Sequence, residues 1–368
     1  MKLRTILGVV QALFLTSFLP SALAQEASIP DPGLSAAIRE ALQKPNGPLT
    51  DQDLLSLTNL NACCRNIASA EGLEAALNLT SLVLDRNQLT SFSLPRGLTN
   101  LVLLDLSFNL LTNVSLPGGL TNLTTLVLEG NLLTNVSMPE GLTGLKKLDL
   151  DNNQLTSFTL TSDLTGLISL DLGQNQLTSF TVPAELTNLA ALTLFFNQLT
   201  NLSMTASLGS LTLLDLGNNQ LTNLTLPAGL TNLVVLVLQS NAVTSLTLPP
   251  DMQALTELLV LGDPLATLLL SEPMAATNLA DSVAALRNQN VSVFTYPLAI
   301  RLIAPQRTAA GGFQFALTGP PGLYHILAST DLARWTELEF VTNMLGTVRF
   351  TDASANSSPQ KFYQVRSP

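Results

Sequence analysis

Charge, histidine and cysteine are all scarce in this chain, and each shortage removes a class of function. Asp, Glu, Lys and Arg make up only 11% of 368 residues, and the balance is acidic, 16 basic against 26 acidic groups for a formal net charge of −10. Nucleic-acid binding rests on clustered Lys and Arg that neutralise phosphates, so no nucleic-acid partner is expected. The single histidine, His325, excludes a His-based metal cluster. It also leaves a Ser-His-Asp arrangement with one candidate base, in a strand-like stretch that has no nucleophile elbow nearby. Phosphate loops and Cys-x-x-Cys pairs are missing. The only cysteines, Cys63 and Cys64, are neighbours, so the chain is not a disulfide-stapled scaffold; they read as two thiols near the first repeat, with their redox state left open. No catalytic residue, metal ligand or cofactor is expected.

Apolar residues, by contrast, reach 46%, enough for a continuous core and far from the composition of disorder. The first residues read as a secretory signal peptide: Lys2 and Arg4 form a basic start, residues 6–19 are largely apolar, and Ala22 and Ala24 supply the small residues a signal peptidase needs. Cleavage is expected between Ala24 and Gln25. The apolar stretch is shorter than the about 20 residues of a membrane span, so after cleavage no transmembrane segment is expected. Residues 361–368 carry no lipidation signal.

Self-similarity dominates the rest. Asparagine recurs at Asn87, Asn109, Asn131, Asn153, Asn175, Asn197, Asn219 and Asn241, always 22 residues apart. Each sits in the frame LxxLxLxxNxL, as in Leu79, Leu82, Leu84, Asn87 and Leu89. The frame extends back to Leu57 and forward to Leu265, where Arg65 and Asp263 replace the asparagine, making ten units. Its Leu-x-Leu centre alternates inward and outward as a strand does. Stacked units should pair these strands in parallel, about 4.8 Å apart, with the asparagines one above another satisfying buried backbone groups. The remaining half of each unit, such as residues 89–98, alternates again and often closes on Pro-x-Gly, which reads as short extended or 3₁₀ pieces on the convex side.

This pattern resembles the leucine-rich-repeat superfamily, and within it the short 22-residue bacterial type of internalin-like secreted proteins. The resemblance implies an α/β solenoid: a horseshoe with a parallel concave β-sheet and short convex segments, binding proteins and less often glycans on its concave face. Residues 25–56 are expected to form a helical N-terminal cap, from an apolar stripe at positions 34, 37, 38, 41 and 42. The repeats span 57–270, and 271–297 is the C-terminal cap, a helical stretch followed by a strand at 291–294 that closes the sheet. Strand-like alternation at 313–317, 324–328, 335–338 and 347–350 gives a small all-β domain over 298–368. It resembles a β-sandwich module appended to many secreted bacterial proteins.

Outward strand positions form columns. One contains Asp105, Asp149, Asp171 and Asp215; another, two residues on, contains Asp85, Glu129, Asp151 and Phe195. With Phe108 and Phe196 as further exposed aromatics, these residues are the candidate ligand-binding surface. The other reading is a solvated face of repeat consensus. Asp149 and Asp171 stack at glycosidase-like spacing, but any solenoid that repeats a residue does the same, so no enzyme is expected. Sequons at Asn113, Asn122, Asn201 and Asn223 follow from the repeat consensus. The expected function is binding of an extracellular protein or glycan through the concave face. The alternative is a structural or adhesive cell-envelope protein, with the repeats as spacer and the β domain for attachment.

Overall fold

The structure, a computed structural model, describes residues 26–204, 208–357 and 360–367; the expected signal peptide, residues 1–24, and its cleavage point lie outside them. Each repeat unit spends three residues on one strand: Asn59–Asn61, Ser81–Val83, Leu103–Asp105, Thr125–Val127, Lys147–Asp149, Ser169–Asp171, Ala191–Thr193, Leu213–Asp215, Val235–Val237 and Glu257–Leu259. They pair in sequence order into one parallel sheet of 10 strands. The register advances by one whole repeat at each step, so Leu148 lies between Leu126 and Leu170. These central leucines are buried, as are the leucines that follow them two residues later, and together with the other frame positions they form one uninterrupted core.

The asparagine column is what allows the chain to turn at the end of every strand without stranding polar backbone. Asn153 donates through Nδ2 to the carbonyls of Leu128, Leu150 and Asp151 at 3.0, 3.1 and 3.2 Å, and its Oδ1 accepts from the Leu133 N–H at 3.1 Å. The column interlocks, because Leu128 O also accepts from Asn131 and Leu150 O from Asn175, both at 2.9 Å. Asp263 ends it: Oδ1 accepts from Val243 N–H at 3.2 Å, while the buried Oδ2 has no partner.

On the convex side lie shorter parallel pairings, Ser91–Ser93 with Asn113–Ser115, Ser179–Val182 with Asn201–Met204, and Ser245–Thr247 with Thr267–Ser271. Phe92, Val114, Phe180, Leu202 and Leu246 point inward from them and meet the leucines of the concave strands.

Local signals set the ends. Helix α1 (Pro32–Ala41) starts where Asp31 accepts from Leu34 N–H at 3.0 Å with proline in the first turn, and α2 (Asp51–Leu55) starts in a capping box between Thr50 and Asp53. Leu34, Ala37, Ile38 and Leu54 join the repeat core. At the other end α3 (Glu272–Ala276) and α4 (Ala280–Asn288) contribute Met274, Val283 and Leu286. The strand that follows, Ser292–Tyr296, pairs with Thr267–Ser271 and so closes the convex-side sheet, not the concave one, whose last member is Glu257–Leu259. The helices occupy the stretch that a regular unit spends on its concave strand, so the next strand arrives on the opposite wall.

Residues beyond this form two antiparallel three-stranded sheets. One orders Arg301–Arg307, Phe313–Thr318 and Thr347–Asp352; the other orders Thr336–Asn343, Gly322–Ser329 and Phe362–Arg366. Phe315, Leu317, Tyr324, Ile326, Val341 and Phe350 fill the space between. Arg301–Arg307 escaped the alternation pattern because every residue in it is exposed; Pro305 falls where its register breaks, as an edge strand tolerates. The two parts meet at Tyr296, which is fully buried and donates to Leu248 O at 2.7 Å, with Gly346 against its ring-bearing carbon.

Candidate functional site

Two kinds of residue shape the concave wall, and both are set by the turn that follows each strand. The aspartates at the last strand position are turn formers first. Asp105 Oδ1 accepts from the N–H and hydroxyl of Ser107 at 3.0 and 2.6 Å, Asp171 from Gly173 N–H at 3.0 Å, Asp215 from Gly217 N–H at 2.9 Å, and Asp149 from Asp151 N–H at 3.3 Å. Asn61 does the same for Cys63 at 3.1 Å. A side chain that bonds the backbone two residues on bends the chain out of the strand. The columns of aspartate therefore exist partly to end strands, a role that neither the binding reading nor the solvated-face reading contained.

One residue further, every unit passes through the left-handed region. Arg86, Phe108, Asn152, Gln174, Phe196 and Asn218 have φ between 48 and 55°, and Gly130 and Gly262 fill equivalent positions at 66 and 86°. Asn and Gly enter this conformation readily, whereas a bulky side chain pays roughly 1–2 kcal/mol for it. Phe108 and Phe196 pay it while remaining 41% and 56% exposed. The turn imposes this conformation on every unit, so what sets these two apart is the choice of an exposed phenylalanine where asparagine or glycine would fit with less strain.

The structure brings most of the expected site residues into one strip and corrects three of them. Asp149 and Asp151 are not solvent-facing: they are 7% and 9% exposed, because neighbouring units stand only a strand apart and cover them. Phe195 is half-buried, its ring edge lying over Gly173, where any Cβ would overlap it and also crowd Asp151 Oδ1. Phe196 stands edge-on to Phe195 with ring centroids 5.8 Å apart. Phe108 lies over Gly130 and holds the Arg86 guanidinium 5.5 Å from its ring centroid. Asp85 and Phe108 thus sit with Arg86 toward the N-terminal end, and Asp149, Asp151, Asp171, Phe195 and Phe196 form the centre.

Crowding of like charges governs the centre. Burial, helped by the Asp171 and Asp149 carboxylates and opposed by Gln174 Nε2 at 2.9 Å, raises Asp151 to about 6. Burial also raises Asp171, Asp215, Asp85 and Glu129 above the usual carboxylate range. Lys147 Nζ, 3.2 Å from Asp149 Oδ2, is the one cation paired within the strip among the described residues. Such an arrangement attracts cations and offers aromatic faces and edges beside them. Gln174 and Lys147 carry no mark in the aspartate and phenylalanine columns; their outward turn and strand positions are the signal that points to them.

Cys63 and Cys64 are disulfide-bonded to each other. Their sulfurs and a carboxylate oxygen of Asp85 lie within 4.8 Å of one another, but a disulfide sulfur is not a thiolate ligand, so the trio as it stands holds no metal.

A ten-strand parallel solenoid built on LxxLxLxxNxL with an asparagine column defines the class: the chain belongs to the leucine-rich-repeat superfamily. The family described as leucine-rich repeats (2 copies) matches residues 121–166 and 209–263. Among solved structures the chain is similar to an internalin from Listeria monocytogenes, at 24% identity over 76% of this chain and 92% of that one, with a TM-score of 0.52. It is also similar to internalin C2 from the same organism, at 28% identity over 72% and 93% with a TM-score of 0.38. The leucine-rich effector YopM from Yersinia pestis aligns at 18% identity over 64% and 71% with a TM-score of 0.47. No curated protein sequence matches. Among the described residues no helix is long and apolar enough to cross a membrane.

Proposed function

We propose that the chain is an extracellular binding protein without catalytic activity, and that its concave strip around Asp171, Phe195 and Phe196, with the Asp149 and Asp151 carboxylates beneath it, captures a protein segment rich in Lys or Arg. The observation that carries the reading is the pairing of strained, exposed Phe196 with a cluster of carboxylates short of counter-charge, on a wall whose geometry is fixed by the repeat. Cationic side chains would relieve the mutual repulsion, and the aromatic rings would bury their aliphatic stems. The extracellular placement rests on the expected signal peptide and on the partly exposed Cys63–Cys64 disulfide, which suits an oxidising compartment. The solenoid and the β domain are read as one scaffold, with recognition in the repeats.

The test is capture of extracellular proteins by the chain beginning at Gln25, compared with Asp171→Asn and Phe196→Ala forms. Retention of a partner that is lost in both variants, and that weakens as salt is raised, supports the strip. Equal capture by all three proteins refutes the placement.

A further inference from the structure

On the wall opposite the acidic strip, eight successive units present three outward positions filled only by Ser, Thr or Asn. The first is threonine in every unit, from Thr90 through Thr156 to Thr244. The second is serine or asparagine, from Ser91 to Ser245, and the third serine or threonine, from Ser93 to Thr247. Of these 24 side chains all are exposed except the half-buried Ser203, and none carries a charge, in a chain with 42 charged residues. The acidic wall shows no such uniformity: over eight units, from Val83 to Val237, the corresponding outward column mixes valine, aspartate and threonine.

Repetition of the unit makes this face a grid. Ser91 is in register with Asn113 and Ser93 with Ser115, and further along Ser179 with Asn201 and Thr181 with Ser203. Where these segments pair, neighbouring units are about 4.8 Å apart in one direction, and alternate residues about 6.6 Å apart in the other; elsewhere the 22-residue step of the sequence carries the same residue types along the face. The grid is stiff. Threonine has little freedom at χ1, and the hydroxyls of Thr112 and Thr200 are further held by donating to Thr90 O and Thr178 O at 3.3 Å.

A partner for such a surface must be uncharged and must repeat in two directions. Protein surfaces other than those of repeat arrays do not repeat. A polysaccharide chain repeats in one direction only and is usually gripped by aromatic faces, whereas Phe92, Phe158 and Phe180 of this wall all point into the core. The charge complementarity is that of a neutral array of hydroxyls, amides and methyls against a neutral lattice of donors and acceptors. A charged side chain would need to shed a tightly held hydration shell to lie flat on it. We propose that this convex face binds ice, the threonine and serine columns engaging the water lattice while the acidic wall remains free for its own partner.

The test uses the full chain from Gln25 in two assays, the gap between melting and freezing of a single ice crystal and partition of labelled protein into slowly growing ice. Thr156→Lys combined with Thr178→Lys places two charges in the middle of the grid; Thr156→Val with Thr178→Val keeps the shape and removes the hydroxyls; Asp151→Asn leaves the grid intact. Circular dichroism and urea unfolding confirm folding of each. The expected result is a freezing gap and enrichment in ice for the wild type and Asp151→Asn, a gap reduced to that of serum albumin for the lysine pair, and a smaller gap for the valine pair. A wild-type gap no larger than that of serum albumin overturns the proposal. So does a folded lysine pair as active as the wild type, or exclusion from ice coupled with retention on insoluble cellulose or chitin.

Discussion

Asp263→Asn changes one oxygen to an amide nitrogen at the end of the asparagine column, and it should strengthen the fold. Asn241, one unit earlier, donates through Nδ2 to the carbonyls three and 25 residues back, Leu238 at 2.7 Å and Leu216 at 2.9 Å. From position 263 the same offsets fall on Val260 and Leu238. A carboxylate cannot donate to them, and Oδ2 of Asp263 is buried with no partner, while Oδ1 already serves Val243 N–H. Leaving one buried polar atom unsatisfied costs about 1–3 kcal/mol, so the substitution should return about that much. Burial raises the Asp263 carboxyl above its ordinary value. The folded state therefore holds this proton more tightly than the unfolded chain does, and the wild type loses stability as pH rises from the unfolded carboxyl value through the folded one. Asparagine does not titrate, so its advantage is small in acid and full at neutral pH. Urea unfolding at both conditions measures the difference, and amide exchange at Val243 localises it, since solenoids open from their ends. No gain at neutral pH, or an equal gain in acid, would refute the reasoning.

Inside the column the same substitution logic runs in reverse. Asn153→Ala strands Leu133 N–H, whereas the Leu128, Leu150 and Asp151 carbonyls keep Asn131, Asn175 and the Gly130 N–H as donors; unfolding in denaturant should show a loss of about 1–3 kcal/mol, and no loss would contradict it. Phe196→Asn relieves the left-handed backbone by about 1 kcal/mol and gives up a ring contact worth about 0.5–1.5, so thermal unfolding should shift little while capture of a basic partner falls. Ionisation of Asp151 near pH 6 should strengthen such capture as pH rises through that value. Its folded pKa is raised, so stability moves the other way over the same interval, falling from about pH 4 and levelling above 6; titration calorimetry on wild type and Asp151→Asn separates the two, and an identical pH profile for both proteins would sink the assignment.

The fold was legible because the repeat states each instruction ten times. A single Leu-x-Leu triplet such as Leu82, Val83 and Leu84 is too short to assign to a strand by itself, yet the invariant 22-residue step fixes both the strand and its register with its neighbours. What repetition could not supply lay where the period stops. The closing strand Ser292–Tyr296 was visible as a strand, but its wall depended on how α3 and α4 consume chain between the sheets. Arg301–Arg307 has no buried face, and therefore no alternation from which to recognise it.

The site was legible in position and misjudged in environment, for a reason that follows from stacking. Reading one unit in isolation makes every outward residue a surface residue, which is how Asp149, Asp151 and Phe195 came to be counted as exposed. In the stack each outward side chain has neighbours one strand away on both sides, so exposure depends on the residues 22 positions before and after. Gly173 opens the space that the Phe195 ring enters from the next unit and that Asp151 Oδ1 borders from the unit before. A glycine on this wall is thus a signal that a large residue of an adjoining unit lies over it, Phe195 from the unit after Gly173 and Phe108 from the unit before Gly130. Asp151, which loses water by burial in the stack, is raised in pKa for that reason. The reactive character of the concave wall therefore arises between units and cannot be read from any one of them.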